Sequence, residues 1–465
     1  MKKYILLLVF GLIVGISVQA QEKPNIVYIL IDNWGWGDIS IQGSPIQTPR
    51  IDNLANEGLR MTNFNVESQC VPTRSAIMTG RLPIRSGTHK VTYGLPYGMA
   101  PWEYTLPELL SDAGYNTALF GKWHLGDVDG RLPTDQGFDE WFGVKNTTDE
   151  AGYSSTAQFD TSVFPQPYSW EGKKGKPSTK VSELNLESRK TIDREIVERS
   201  EKYISEQANE KKPFFLYIAL TQVHPPLGHH PDFDNITKTG MYGDILKEVD
   251  YNIGRILDKL KKEGLEENTI VILTGDNGAV TDGIGGGSTG PWRGGFTGYE
   301  GGLRTVGMVK WPNKIESGRV SDEIFASLDW MPTLVNMIGE EKRIPTDRPI
   351  DGINQADFLL GKQEKSNREH VICYVGEDIF SVKWRSFKIH LKTAESLWSP
   401  VQTYIFPPVY DVVNDPGETN NLMKFHLFTH SWVYGPMGKL LQEKGASMAK
   451  FPNIKTGDDF SGYNK

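Results

Sequence analysis

Cysteine is almost absent from this 465-residue chain: Cys70 and Cys373 are the only two. A scaffold stapled by several disulfides is therefore excluded, and at most one bridge remains available. Long apolar runs are missing after residue 20, so nothing in the body of the chain reads as a membrane span and stable membrane insertion is not expected. A positive excess is missing too. Lys and Arg number 50 against 58 Asp and Glu, a net charge of -8, and the basic residues are dispersed. That pattern lacks the basic stripe of a nucleic-acid-binding protein. Internal repeats and low-complexity linkers are also absent.

The start, MKKYILLLVFGLIVGISVQA, is different from the rest. Two lysines, a short apolar run and the small-residue end Val18-Gln19-Ala20 read as a secretory signal peptide over residues 1–20. The mature protein is expected to be exported, to a periplasm or beyond, and the Lys-Lys opening has a bacterial look. Apolar residues make up 38% of the chain, enough for a sizeable core.

Strand-like and helix-like segments alternate along the chain. IVYILI (26–31), FFLYIAL (214–220) and TIVILT (269–274) are unbroken apolar runs, the pattern of parallel strands buried on both faces. Asn116 to Phe120 reads as a further short strand, and Thr305 to Trp311 as another. Thr48-Pro49 and Thr105-Leu106-Pro107-Glu108 open helices with a cap residue and an early proline. Ser188–Gln207 and Tyr242–Glu263 carry apolar residues at helical spacing, with Gly264 as a stop. This alternation predicts a doubly wound α/β fold. Short strand-like runs after residue 365 (VICYV, FSVKW, FKIHL) predict a small antiparallel unit over 366–465, behind a catalytic domain over 21–365. The stretches 144–182 and 393–408 are read as loops that select the substrate.

Polar residues stand immediately behind four of the predicted strands: Asp32-Asn33, Lys122 with His124, His224, and Asp276-Asn277. Any one Asp-Asn pair is as readily a turn. In an open α/β sheet, however, ligands bind beyond the carboxyl ends of the strands, so these four clusters can meet in one crevice. Two Asp-Asn pairs form an all-oxygen site, which suits Ca²⁺, with Mg²⁺ as the alternative, and disfavours Zn²⁺. Lys122, His124, Arg74 and His224 add positive charge or proton donors. Such a site expects an oxyanion ester, phosphate or sulfate. Cys70 precedes Pro72 and a helix predicted over Ser75–Met78; a helix N-terminus lowers a thiol pKa, so a thiolate nucleophile is one reading and an inert buried thiol the other. Cys373 is read as inert.

Cys70-x-Pro72-x-Arg74, followed by Thr79-Gly80, resembles the signature of the type I sulfatases. The resemblance extends over most of the mature chain, through Asp32-Asn33, Gly121-Lys122-Trp123-His124, His224-Pro225, Thr274-Gly275-Asp276-Asn277-Gly278, Tyr299-Glu300-Gly301-Gly302-Leu303-Arg304, Tyr410-Asp411 and Asp415-Pro416-Gly417-Glu418. It implies an alkaline-phosphatase-like α/β sandwich with a large, mostly parallel mixed sheet and a small C-terminal antiparallel subdomain. It further implies that a formylglycine-generating maturation enzyme oxidises Cys70, that Asp32, Asn33, Asp276 and Asn277 hold a metal ion, and that Arg74, Lys122, His124 and His224 serve catalysis. The hydrate of formylglycine attacks sulfur with one hydroxyl and uses the other to expel sulfate. Export, the bacterial look, the tryptophans Trp34, Trp36 and Trp292 and the pair His229-His230 point to a sulfated carbohydrate as substrate, and a small aryl sulfate also fits.

Two positions depart from the pattern. Asn33 stands where many members have aspartate. No lysine precedes Tyr299 in GPWRGGFTGYEGG (290–302), where many members place one against the sulfate; Arg293 is the nearest cation and His229 a further candidate for substrate contact. Two other functions stay open from residues alone. One is a phosphatase or phosphodiesterase of the same superfold, against which the full Cys70 signature stands. The other is a glycan-binding relative without turnover.

Overall fold

The computed structural model describes residues 23–91, 97–281 and 285–463. The predicted signal peptide and the first residues of the glycine-rich loop that begins at Gly283 lie outside the described residues.

A ten-stranded mixed sheet forms the centre. In chain order its strands are interleaved with a two-stranded ribbon: β1 (Asn25–Ile31), β2 (Leu59–Met61), β3 (Phe64–Asn65), β4 (Asn116–Lys122), β5 (Glu140–Val144), β6 (Tyr168–Lys173), β7 (Thr179–Glu183), β8 (Phe214–Leu220), β9 (Thr269–Gly275), β10 (Gly307–Lys310), β11 (Arg319–Ser321) and β12 (Phe325–Ala326). The sheet order is β11-β2-β10-β9-β1-β8-β4-β5-β6-β7, and β3 pairs with β12. Five central strands, β9, β1, β8, β4 and β5, run parallel. β1, β8 and β9 are the unbroken apolar runs of the sequence, and they are buried at every position.

Alternating residues feed two cores. Ile26, Tyr28 and Leu30 face one layer of helices, while Val27, Ile29 and Ile31 face the other. The helices of the first part are α1 (Pro49–Asn56), α2 (Cys70–Thr79), α3 (Leu106–Asp112), α4 (Asp149–Ser154), α5 (Leu186–Arg189), α6 (Ile192–Glu210), α7 (Met241–Lys262) and α8 (Glu300–Leu303). α2 and α3 share the first core and α1, α6 and α7 the second. A smaller four-stranded antiparallel sheet follows, built by His370–Val375 (β13), Asp378–Trp384 (β14), Phe387–His390 (β15) and, after the two-stranded pair β16 (Lys392–Thr393) and β17 (Gln402–Thr403), Val409–Asp411 (β18). The helix Tyr434–Lys450 packs on it through Met437.

Three elements differ from the sequence reading. α2 begins at Cys70 itself rather than at Ser75, because Pro72 falls in the first turn, where a missing N–H costs nothing. The Thr305–Trp311 strand is antiparallel to its neighbours. Residues 144–182 are not one loop: they hold α4, β6 and the start of the edge strand β7, and since β7 is exposed at every position and β6 buries only two of its six residues, neither writes an apolar run.

Candidate active site

Register brings the four polar clusters level. Ile31 pairs with both Leu220 and Gly275, and Gly121 pairs with Ala219, so β1, β8, β9 and β4 end at one height. Beyond the strands the backbone stays tied: Asp32 N donates to Gln222 O (2.9 Å), Val223 N to Asp32 O (2.7 Å) and Asp276 N to Ile31 O (3.1 Å). α2 enters from the adjacent layer. Cys70 and Arg74, one turn apart, point from the same side of it.

Arg74 is the central tie. Its Nε and Nη2 donate to Asp276 Oδ2 (3.0 and 2.8 Å), its Nη1 to the Lys122 carbonyl (2.7 Å), and Nη2 lies 3.7 Å from Asp32 Oδ2. Lys122 Nζ donates to Asp32 Oδ2 at 2.6 Å. Two cations and two carboxylates therefore balance in a region sealed from solvent. Burial, reinforced by the nearby Asp32, raises the Asp276 carboxyl to about 6 against the pull of Arg74 and Lys122.

The oxygen atoms not used by these ties are informative. Asp32 Oδ1 and Asn277 Oδ1 are buried without a hydrogen-bond partner. Orphaned buried acceptors are costly and call for an unplaced donor or ion. Asn33 Oδ1 sits beside them, accepting from Asn277 Nδ2 (2.8 Å), and Asn33 N donates to Asp276 Oδ1 (3.0 Å). Asn33 adopts a left-handed backbone (φ 59°), which asparagine tolerates better than most residues. Among the described residues, no group of three or more His, Cys, Asp or Glu is gathered for a metal. Two carboxylates and two amides are what this site offers, and that all-oxygen set fits a hard divalent cation.

Cys70 Sγ lies 3.3 Å from His124 Nδ1. Burial pushes the thiol up to about 12, with Lys122 opposing. Desolvation thus works against the thiolate suggested by the helix N-terminus and holds unmodified Cys70 as a thiol. Burial, then Lys122 and Arg74, hold His124 well below the ordinary imidazole range. His224 falls to about 3, from burial and then Lys122. Both rings rest neutral.

His224 is oriented by Thr147 and Thr148, two residues that were not singled out from the sequence. His224 Nδ1 faces the Pro225 carbonyl, which can only accept, so Nδ1 carries the proton; Thr148 Oγ1 donates to the same carbonyl and lies 3.1 Å from Nδ1. That leaves Nε2 as the acceptor for the Thr147 hydroxyl at 3.3 Å, while Thr147 Oγ1 receives Lys122 Nζ at 3.3 Å. Thr147 therefore joins Lys122 to His224. The available signal was the same as for the other clusters, polar residues directly behind a strand, but β5 had not been read as one.

Arg293 and His229 stand apart. Arg293 Nη2 donates to Glu395 Oε1 (2.6 Å), its Nη1 to the Glu418 carbonyl (3.0 Å), and its guanidinium lies over Tyr299 (4.3 Å). His229 Nδ1 lies 3.1 Å from His230 O and 3.5 Å from Asp234 Oδ1. Neither is bonded to the cluster around Cys70.

A sulfatase family model matches residues 24–340. The N-acetylgalactosamine-6-sulfatase of Mus musculus is 32% identical, over 92% of this chain and 86% of its own length. Arylsulfatase A of Homo sapiens is also 32% identical, over 90% of this chain and 86% of its own. Among solved structures, the PsFucS1 sulfatase from Pseudoalteromonas sp. superposes with a TM-score of 0.87 at 31% identity, covering 94% of this chain and 92% of that one.

Proposed function

Because the chain belongs to the sulfatase family and is a sulfuric ester hydrolase, we propose that it removes sulfate from a sulfated carbohydrate, using a formylglycine made from Cys70 by a maturation enzyme. The observation that carries this reading is that one buried cluster joins Arg74 to Asp276, Lys122 to Asp32 and, through Thr147, to His224, with Cys70, on the same helix as Arg74, paired to His124, while Asp32 Oδ1 and Asn277 Oδ1 are left without partners. The family uses a metal ion; here Asp32, Asn33, Asp276 and Asn277 would hold it, and Ca²⁺ suits their oxygens best. When bound, the ion supplies positive charge that favours an anionic sulfate group. The formylglycine hydrate supplies a nucleophilic hydroxyl for sulfur and a second hydroxyl whose ionisation lets sulfate leave.

The remaining chemistry belongs to the side chains. Arg74 and Lys122 are buried cations already aimed at the centre, and they draw in and orient sulfate oxygens. His124, neutral and 3.3 Å from the residue-70 side chain, is the base that takes the hydroxyl proton. His224, with its tautomer fixed by the Pro225 carbonyl, presents Nε2 towards Lys122 through Thr147 and manages the proton at the leaving oxygen. The carbohydrate class is supported by relatives named N-acetylgalactosamine-6-sulfatase, which are about one third identical over most of this chain. The first twenty residues support export of the enzyme.

Mass spectrometry of the tryptic peptide Met61–Arg74, from a host that matures sulfatases, tests the proposal. The expected peptide has lost one sulfur and two hydrogens and gained one oxygen at Cys70. A wholly unmodified thiol, where a control sulfatase is modified, rejects it. Cys70→Ala is expected to fold normally and release no sulfate.

A further inference from the structure

Two sequence segments found no role in this chemistry: Tyr299–Arg304 and Asp415–Glu418. They meet in the interior. The Glu300 carboxylate on α8 accepts from Lys383 Nζ (2.7 Å) on β14, from Lys388 Nζ (2.9 Å) on β15, and from Arg304 Nε. Glu418 Oε1 accepts the Glu300 backbone N–H at 2.7 Å. Its Oε2 faces His390 Nε2, and Lys388 Nζ lies 3.4 Å away. Glu300, Lys388, His390 and Glu418 are fully buried and Lys383 is 1% exposed. Although burial opposes ionisation, Lys383, Lys388 and Arg304 keep the Glu300 carboxyl well below its usual range.

A buried ionic network is weak evidence for stability, since desolvation cancels much of the attraction. What it does supply is a fixed geometry, so the question is what it fixes. α8 touches both arms of the catalytic site. Gly302 O accepts from Gly278 N (3.2 Å), the residue after Asn277. Leu303 O accepts from Val66 N (2.8 Å), four residues before Cys70. The approach is so close that a Cβ on Gly278 would lie 1.8 Å from Gly301 O.

We infer that the network of Glu300, Lys383, Lys388 and Glu418 is a positioning device: the C-terminal sheet holds α8 against Gly278 and Val66 and thereby sets Asn277 and Cys70 at their working separation. None of these four groups touches the reacting centre. They act through α8, as outer partners of metal ligands do when they orient the inner ones. The inference rests on the proposed roles of Asn277 and Cys70.

Lys388→Met, Lys388→Arg and Glu418→Gln test it, with Lys310→Met as a control. Lys310 is ion-paired to Glu57 and Glu266 on β10, at the end of the sheet away from the site. Turnover of an aryl sulfate, titration of the metal-free protein with Ca²⁺ alone, and melting temperature are read for each. Lys388→Met and Glu418→Gln are expected to lose about 10- to 100-fold in kcat with KM little changed, and to bind Ca²⁺ about 10-fold more weakly. Lys388→Arg is expected to recover most of both. Lys310→Met is expected to melt earlier yet keep kcat and Ca²⁺ affinity. Glu418→Gln decides the matter if Lys388→Met does not fold. A folded Glu418→Gln variant with wild-type kcat and Ca²⁺ affinity, or losses no larger than those of Lys310→Met, overturns the inference. A wild-type protein that binds Ca²⁺ but releases no sulfate rejects the proposed function instead, and the Ca²⁺ titration still decides the positioning role.

Discussion

One hydroxyl, that of Thr147, receives a proton from the Lys122 ammonium and gives one to His224. Thr147→Val keeps the shape and deletes both bonds. Lys122 retains Asp32, so its charge stays paired. The expected loss in kcat/KM is about 10-fold, the worth of roughly 1.5 kcal/mol for a hydrogen bond to a charged group, with melting temperature nearly unchanged. If His224 handles the leaving oxygen, the loss is larger for a sugar sulfate than for an aryl sulfate, whose phenolate leaves without a proton. Equal losses on both substrates would remove His224 from that role. At this scale the sequence was most legible where chemistry is concentrated in a few residue types. Asp32, Lys122, His224 and Asp276 announce themselves behind apolar runs. Thr147 and Thr148 do not, since threonine is ordinary in any loop. The commitment of Arg293 to Glu395 was equally hidden, because the partners lie about a hundred positions apart and the pairing depends on how a later sheet packs.

Elements deliver these side chains only if strand ends can close on each other. Gly121 and Gly143 are partners across β4 and β5, both with left-handed backbones (φ 124° and 149°). A Cβ on Gly121 would lie 1.8 Å from Ala219 O of β8, and one on Gly143 would lie 1.8 Å from Gly121 O. The row of missing side chains lets three strands converge just where Lys122 leaves the sheet. Gly121→Ala must therefore part β4 from β8 as well as strain its own backbone. We expect a stability loss of at least about 3 kcal/mol, seen as a lower urea midpoint, together with lost turnover. A wild-type midpoint would refute this account of the strand ends. The buried parallel strands were readable because burial on both faces writes a continuous apolar run. β6 and β7 were not, since the edge strand β7 is exposed at every position and β6 beside it buries only two of its six residues. α2 was read five residues late because a proline two positions after its first residue resembles a loop.

For the molecule as a whole, the C-terminal antiparallel sheet was legible in three short apolar runs, whereas the helix Tyr434–Lys450 was not: Gly435, Gly438 and Gly445 lower its intrinsic helicity, and packing on the sheet supplies the rest. The oxygens proposed to hold the ion stand behind β1 and β9, which only the folded sheet brings together, so metal binding would be linked to folding there. Without an ion, Arg74 and Lys122 already neutralise Asp32 and Asp276, and the site has no net charge to drive it apart. Removing metal should consequently leave the protein folded but less stable, with Asp32 Oδ1 and Asn277 Oδ1 unsatisfied. An ion that binds only the folded chain contributes about 2.7 kcal/mol at a hundredfold excess over its dissociation constant. Melting curves in chelator, in Ca²⁺ and in Mg²⁺ should therefore rank Ca²⁺ above Mg²⁺ above chelator, because Mg²⁺ demands a stricter octahedron and surrenders water reluctantly. Turnover should vanish in chelator and return with Ca²⁺. Asp276→Ala should melt at one temperature in all three solutions, since it removes a metal carboxylate and the anchor of Arg74 together. A Ca²⁺-dependent shift that survives in Asp276→Ala would place the ion elsewhere in the molecule, and the four strand-end residues would lose their assigned part.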